Sequence, residues 1–150
     1  MDIKVNVIRE GFDGMTCYAQ SRIGAANSEG KHLVLTTQKL VLAGSDTYKP
    51  IESMYSKDGG KTWTDLASQD KLLLEDRIVC DFVPAYHKKT GKLLGGGGSV
   101  SYKSIDPPVL DLTQIQKPFY SVYDAQRNEW GKIKTPRNLN NEECKGFTFA

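Results

Sequence analysis

Ser56-Lys57-Asp58-Gly59-Gly60-Lys61-Thr62-Trp63 has the composition of a tight polar hairpin turn. Asp58 can accept hydrogen bonds from turn N–H groups, and Gly60 can adopt the positive φ that such turns need. The hydroxyls of Ser56 and Thr62 flank the turn, and Trp63 can pack its ring over it with its N–H in water. We therefore predict a β-hairpin at this place.

Short apolar segments bounded by turn residues lie on both sides of this hairpin and predict a mostly β chain. Helical periodicity is scarce, and one short helical turn is expected within residues 66–74, capped by Asp65. The pattern alone leaves a sandwich, a barrel and a propeller open. Strands are predicted at residues 4–9, 17–26, 32–36, 40–43, 51–56, 62–65, 80–87, 93–96, 119–123, 130–134 and 146–149.

Cysteine and tryptophan recur along the chain at nearly equal intervals. Cys17, Cys80 and Cys144 are spaced by 63 and 64 positions, and each opens or shortly precedes a predicted strand. Trp63 and Trp130 are 67 positions apart, and each follows a polar turn after a strand that carries Tyr and Ser. Each unit thus has four strands in about 64 residues, the content of one propeller blade. The cysteines are interpreted as small buried residues at equivalent places, with a metal or redox role as the alternative.

Composition excludes several function classes. The chain has 150 residues with 20 basic and 18 acidic side chains, so its net charge is only +2. We therefore expect no nucleic-acid partner and no membrane partner. No two cysteines are closer than 63 positions, so no zinc-type spacing occurs and we expect no metal site. We also expect no cofactor. The first residues lack a signal-peptide pattern, which favours the cytoplasm or a location reached after signal removal.

The hairpin motif resembles the Asp-box, also called the BNR repeat, of sialidases and related β-propellers. The box stabilises a blade turn, usually on the side away from the active site, so the resemblance implies a structural role for its residues. The matching residues are Ser56, Asp58, Gly60, Thr62 and Trp63. Ser121, Asp124 and Trp130 look like a degenerate second copy with a longer turn.

The resemblance implies an all-β fold, a β-propeller of four-stranded blades with six blades when complete. This chain is then an N-terminal portion covering about two and a half blades. Blade 1 is expected at residues 17–66 and blade 2 at residues 80–136, with a third blade starting at residues 143–150. Residues 1–12 are expected to supply a closing strand. An incomplete propeller is expected to self-associate or to be marginally stable.

The resemblance also implies a sialidase-like exo-glycosidase that acts on a terminal, anionic sugar of a glycan. Arg22, in Ser21-Arg22-Ile23-Gly24, takes the place of the arginine in the family's Arg-Ile-Pro motif, which grips the substrate carboxylate. A planar guanidinium suits that role because it binds a carboxylate through two hydrogen bonds. Asp46 lies in the segment that carries the family's acid/base aspartate, and is the catalytic candidate.

Two further carboxylates are candidates for substrate binding. Asp81 and Glu143 each adjoin a cysteine at the start of a repeat, and the first strands of propeller blades line the central axis. The alternative for Asp81 is a bond to a neighbouring blade. The family's Tyr–Glu nucleophile pair and two other arginines lie in later blades, so this chain is not expected to hold a complete site.

Other chemistry-bearing residues are assigned no catalytic role. His87 is expected in an exposed turn. The run from Gly95 to Ser99 is not interpreted as a phosphate loop, because no Gly-Lys-Ser/Thr follows it and no helix is predicted behind it. Such a run indicates a bulge, a flexible loop or a close backbone approach.

Two functions of other classes remain open. One is a non-catalytic Asp-box propeller that binds carbohydrate or protein, favoured by Gly24 in place of the family's proline and by Pro50 where the family has an aspartate. The other is a structural half propeller that dimerises or packs on a partner.

Overall fold

Strands dominate the structure, a computed structural model that describes residues 5–43, 45–105, 108–111, 113–114 and 116–145. One 3₁₀ turn, Asp70–Leu72, falls within the segment where the sequence predicts a helical turn, although Gln69 rather than Asp65 precedes it. No helix in the described part is long and apolar enough to cross a membrane. The strands are β1 (Thr16–Ala25), β2 (Leu33–Ala43), β3 (Ser45–Ser56), β4 (Ala67–Ser68), β5 (Ile78–His87), β6 (Lys92–Val100), β7 (Tyr102–Ile105), β8 (Pro108–Leu110), β9 (Lys117–Asp124) and β10 (Glu129–Trp130).

These strands form two antiparallel sheets of four strands each. The first sheet, β1-β2-β3-β4, is a meander of sequential strands. The second, β5-β6-β9-β10, has the same antiparallel order, but β7 and β8 lie between its second and third strands in the sequence. Strands β7 and β8 form a separate hairpin that the sequence does not predict. The predicted all-β class with four-stranded units is therefore confirmed.

The second strand of the first sheet is longer than the sequence predicts. The strands predicted at residues 32–36 and 40–43 are parts of the single strand β2. The chain between them stays paired with β3 and shifts its register between Gln38 and Leu40. An irregularity of this kind absorbs an extra residue without ending a strand, so it has no clear signal in the sequence.

The fourth strand and the N-terminal segment also differ from expectation. Residues 62–65 form no strand, and β4 comes later, although the Thr64 N–H still donates to the Tyr55 carbonyl at 3.0 Å. Residues 5–13 form no strand either, so the strand predicted at residues 4–9 is absent from their described part. The strand predicted at residues 146–149 lies outside the described residues.

The core lies between the two sheets and is centred on aromatic rings. Phe82 stacks on Phe119 with ring centroids 5.7 Å apart, and Trp130 meets Phe82 edge-on at 4.7 Å. Tyr123 contacts the same indole at 5.2 Å. Pairs of this geometry contribute about 0.5–1.5 kcal/mol each beyond the area that they bury. The aromatic side chains of this cluster all come from the second sheet, which covers the first.

Buried hydrogen bonds also join the two sheets. The Thr36 hydroxyl donates to the Phe82 carbonyl at 3.4 Å. The amide of Gln38 donates to the Val79 carbonyl of the second sheet at 2.6 Å, and to the Lys49 carbonyl of its own sheet at 2.9 Å. Both side chains are almost completely buried. Because a buried polar group without a partner is costly, these bonds favour one relative position of the sheets.

The glycine run is part of strand β6, where it permits close approach, one of the three alternatives that the sequence leaves open. A Cβ on Gly95 would collide with the Phe82 ring. A Cβ on Gly97 would lie 2.5 Å from the carbonyl oxygen of Cys80. These glycines therefore serve packing between β5 and β6.

Candidate functional site

The first strand of each sheet carries a bulge at a matching place. The register shifts between Ala19 and Arg22 in β1, and between Cys80 and Val83 in β5. Gln20 and Asp81 lie inside these bulges with φ of 55° and 53°. Residues other than glycine rarely adopt this left-handed conformation, which costs of order 1–3 kcal/mol and is concentrated at functional sites. The paired bulges are therefore the candidate functional site.

The two bulged residues are bonded directly to each other. The Gln20 amide donates to the Asp81 carboxylate at 2.6 Å, and its oxygen accepts the Asp81 backbone N–H at 2.8 Å. The same amide nitrogen donates to the Tyr48 hydroxyl at 3.1 Å. Asp81 thus makes a bond to the neighbouring sheet, which is one of the two roles that the sequence left open for it.

Arg22 follows the first bulge on an exposed part of β1. Its Nη1 donates to the Ser21 carbonyl at 3.1 Å. Among the described residues, no carboxylate forms an ion pair with its guanidinium. The remaining N–H donors are therefore open to an anionic ligand, which is the role implied for this residue by the sequence resemblance.

The other candidate carboxylates lie elsewhere. Asp46 is in β3, where its backbone pairs with Leu42, and its side chain lies outside the described part of the structure. Glu143 is exposed beyond β10 and forms an ion pair with Arg137 at 3.3 Å. In the part of the chain that the structure describes, Glu143 makes no hydrogen bond or ion pair with Asp81.

The polar turn after β3 is built around one carboxylate. Asp58 accepts the backbone N–H groups of Lys61 at 3.0 Å and Thr62 at 2.9 Å, together with the Thr62 hydroxyl at 2.7 Å. The Ser56 hydroxyl donates to the same carboxylate and accepts the Gly60 N–H, both at 2.8 Å. All of these partners lie within the turn, so local chain geometry is sufficient to form it.

These hydrogen bonds have an electrostatic consequence. The Thr62 backbone N–H and hydroxyl, followed by the Ser56 hydroxyl, hold the pKa of Asp58 well below its ordinary value. Gly60 has a φ of 88°, as the turn requires. The Trp63 indole N–H donates to the Gly60 carbonyl at 3.0 Å and not to water, which corrects the sequence expectation.

The turn between β9 and β10 matches the first turn in spacing but not in chemistry. The residue after its tryptophan, Gly131, donates its N–H to the Val122 carbonyl at 2.9 Å, just as in the first sheet. When the two turns are aligned on these backbone bonds, Ala125, and not Asp124, takes the place of Asp58. Asp124 instead accepts the N–H groups of two following residues at 2.9 and 3.1 Å. The expected second copy is thus a turn of equal length with a different cap.

The three cysteines are free thiols. When the two sheets are aligned on their bulges, Cys80 takes the place of Ala19 and not that of Cys17. The regular spacing of the cysteines in the sequence therefore does not mark equivalent positions. Burial, and then the charge of Asp81, raise the pKa of the Cys80 thiol to about 12. The thiol therefore stays protonated at neutral pH and is a poor nucleophile. No group of three or more potential metal ligands occurs among the described residues.

His32 is a contact residue between the sheets that sequence reasoning missed. Its ring lies edge-on to Tyr55 of the first sheet and Tyr123 of the second, with both pairs of centroids 5.9 Å apart. Its Nε2 is buried without a hydrogen-bond partner among the described residues. Burial, and then the charge of Lys57, lower the pKa of this imidazole. A single histidine at a strand start carries no sequence signal for such a role.

The lowered pKa of His32 predicts a loss of stability in mild acid. The unfolded chain takes up the proton near pH 6.5, whereas the folded chain resists it until a lower pH. The free energy of unfolding should therefore be level above about pH 7 and fall as the pH drops below 6.5, until the folded imidazole is also protonated. Urea unfolding at pH values above about 5.5, where carboxylates stay ionised, measures this slope.

The two histidines of the chain provide a matched control for this experiment. His32→Phe keeps a ring between the tyrosines and should flatten the slope. His87→Gln, at an exposed turn where the imidazole contacts the Thr90 hydroxyl at 2.7 Å, should leave the slope in place. A slope that survives in His32→Phe would show that His32 is not its source.

Comparison with models of known protein families finds no match, and a search of curated proteins finds no relative.

Proposed function

We propose that this chain is part of an Asp-box β-propeller with a sialidase-like, exo-glycosidase activity on a terminal, anionic sugar. The repeated four-stranded antiparallel sheet, the matching bulges and the aspartate-capped turn of residues 56–63 support the architecture. The observation that carries the function is Arg22, an exposed guanidinium without an ion-pair partner among the described residues, directly after a strained bulge.

In this proposal the residues have separate tasks. Arg22 binds the sugar carboxylate through paired N–H donors, which orients the ring. Asp46 is the acid/base group that protonates the leaving oxygen. Gln20 holds Asp81, so that the two first strands keep a constant separation beside the ligand. The nucleophile pair and two more arginines of the sialidase site belong to further blades.

Arg22→Ala is expected to lower kcat/KM on aryl sialosides by about 100-fold, mainly through KM, because a charged contact to the bound substrate is lost. Arg127→Ala is the matched control, since Arg127 is an exposed arginine in the β9–β10 turn. Initial-rate measurements on the protein that carries this sequence, with circular dichroism to check folding, give both numbers. Absence of turnover on every aryl glycoside would contradict the enzymatic proposal.

A non-catalytic carbohydrate-binding propeller is the second candidate. The two carboxylates predicted to bind substrate already have partners within the chain, Asp81 with Gln20 and Glu143 with Arg137. Calorimetric titration with sialic acid separates the candidates. Binding that Arg22→Ala abolishes, without turnover by the unmodified protein, would favour this second function.

The departure of Gly24 from the family's proline has a packing explanation. A Cβ at this position would lie 2.8 Å from Leu93 Cδ1 and 2.9 Å from the Pro84 Cβ. The second sheet therefore leaves no room for a side chain here. The glycine thus adapts β1 to the sheet that covers it.

A further inference from the structure

Two Asp-Gly pairs occur in the sequence, Asp13-Gly14 and Asp58-Gly59. Both lie in turns in which the glycine has a positive φ, 90° at Gly14 and 73° at Gly59. An Asp-Gly pair is open to one covalent change that needs no enzyme, because glycine has no Cβ to shield its nitrogen from the preceding side chain. This change is isomerisation of the aspartate.

Isomerisation exchanges one amide bond for another. The glycine nitrogen bonds to Cγ of the protonated aspartate, and the carboxyl hydroxyl leaves with the amide proton as water. A second water then opens the five-membered imide. Cleavage of its bond to Cγ restores aspartate, whereas cleavage of its bond to the main-chain carbonyl leaves isoaspartate, in which the backbone runs through Cγ. Both the carboxyl group and the glycine N–H must leave their hydrogen bonds for this reaction.

The two carboxylates are held in similar ways. Asp13 accepts the N–H groups of Met15 at 3.0 Å and Thr16 at 2.6 Å, together with the Thr16 hydroxyl at 2.6 Å. The Thr16 hydroxyl, then the N–H groups of Thr16 and Met15, lower the pKa of Asp13 to about 2. Asp58 is bound by donors of the same kinds within its own turn, which lower its pKa as well. The carboxylates therefore do not distinguish the two pairs.

The glycine N–H groups do distinguish them. Gly59 donates its N–H to the Lys31 carbonyl at 2.9 Å. Lys31 lies in the loop between β1 and β2, so this bond ties the Gly59 nitrogen to a different part of the chain. Within the described residues, no backbone or side-chain oxygen accepts the Gly14 N–H, and a Cβ built on Gly14 would have no neighbour within 4 Å. The Gly14 nitrogen is therefore the one that can turn toward its own aspartate.

Other hydrogen bonds of the two turns increase this difference. The turn of residues 56–63 is also closed by bonds from the Gly60 N–H and from the Trp63 indole. The turn at Asp13 has one backbone bond of its own, from the Asp13 N–H to the Thr16 carbonyl at 3.2 Å, and Asp13 is exposed. Local opening costs less where fewer hydrogen bonds must break.

We propose that Asp13-Gly14 is a site of spontaneous isoaspartate formation in the folded protein, and that the Lys31 carbonyl protects Asp58-Gly59 from the same change. The proposal depends on contacts within this chain, and it holds whether or not the chain is an enzyme.

The modification has a structural consequence at the start of β1. Isoaspartate at position 13 adds one carbon atom to the main chain and moves the carboxylate that accepts the N–H groups of Met15 and Thr16. The Met15 carbonyl accepts the Leu42 N–H at 2.9 Å. Loss of the turn therefore loosens the first residues of β1 from β2 and leaves the core between the sheets in place.

Prolonged incubation of the protein at neutral pH and physiological temperature, followed by peptide mapping, tests the proposal. Isoaspartate has the same mass as aspartate, so it is identified by chromatographic separation and by electron-transfer fragmentation of the backbone. Asp13 should isomerise at least about tenfold faster than Asp58, because Asp58 reacts only after the additional bonds of its turn and of Gly59 have broken. Equal rates, or isomerisation of neither residue, would overturn the proposal.

Synthetic peptides of residues 8–19 and 53–64 supply the unfolded reference. Their two Asp-Gly pairs should isomerise at similar rates, because neither peptide has the tertiary contacts of the protein. If the peptides reproduced the difference seen in the protein, local sequence and not the fold would be its source, and the protective role of Lys31 would be refuted.

Asn27→Ala tests the protective bond itself. The Asn27 Oδ1 accepts the N–H groups of Lys31 at 3.2 Å and His32 at 3.3 Å, and so fixes the loop that presents the Lys31 carbonyl. The variant should raise the rate at Asp58 several-fold and leave the rate at Asp13 unchanged, whereas Asn27→Asp keeps an acceptor and should keep Asp58 protected. An unchanged rate at Asp58 in Asn27→Ala would contradict the assigned role of this carbonyl.

Discussion

Replacement of Gly97 by alanine is expected to lower the free energy of unfolding by about 3 kcal/mol, the upper range for overpacking. The added Cβ would lie 2.5 Å from the Cys80 carbonyl oxygen and 2.9 Å from that of Asp81. Both atoms belong to the backbone of the β5 bulge, so neither can rotate away. Relief of the collision requires β5 and β6 to separate, which also disturbs the bond between Asp81 and Gln20.

The neighbouring glycine supplies the control for this experiment. Gly96→Ala places its Cβ at ordinary contact distance, 3.5 Å from the Phe119 carbonyl. It should be neutral, or stabilising by up to about 1 kcal/mol, because alanine loses less conformational entropy on folding than glycine. Chemical denaturation at low protein concentration measures both variants. Equal losses in the two would show that the close approach at Gly97 is not what requires glycine.

Trp130→Ala is expected to cost about 3–5 kcal/mol, the range for removing a large aromatic side chain from a core. Trp130 is completely buried against Phe82 and Tyr123, and its removal leaves a cavity between the two sheets. Thermal and urea unfolding, monitored by far-UV circular dichroism, should show a large fall in stability. The transition should also broaden as the sheets lose their common core.

The second tryptophan of the chain is the matched control. Trp63 takes the equivalent place in the first turn, but its side chain is only partly buried and it bonds the Gly60 carbonyl. Trp63→Ala should cost about 1 kcal/mol, the contribution of one such hydrogen bond. Similar losses in the two variants would mean that position in the repeat, and not burial, sets the energetic role of these residues.

Sequence reasoning succeeded where the relevant interactions are local. The all-β class and the meander of short strands followed from alternating segments and turn residues, and the structure confirms both. Gly95 and Gly97 lie inside β6, so the glycine run is not a phosphate loop, as the sequence predicts. The predicted strand ends are less accurate, because the register shift in β2 and the late start of β4 depend on pairing with other strands.

The candidate site was less accessible from the sequence. A family resemblance points to Arg22 and the repeat position points to Asp81, but Gln20, which bonds Asp81, has no signal in the sequence. A glutamine within a strand is common and normally exposed. The bond between Gln20 and Asp81 depends on the left-handed φ of both residues in their bulges. No local sequence pattern predicts this conformation for residues other than glycine.

The turn at residues 56–63 follows from the local sequence, because Asp58 finds all its hydrogen-bond partners within four positions along the chain. The contact between Gln20 and Asp81, which are 61 positions apart, forms only when the two sheets pack together. The same packing buries Trp130, while Trp63 stays partly exposed. The physical reason is that a turn is formed by short-range geometry, whereas these contacts exist only once one sheet covers the other.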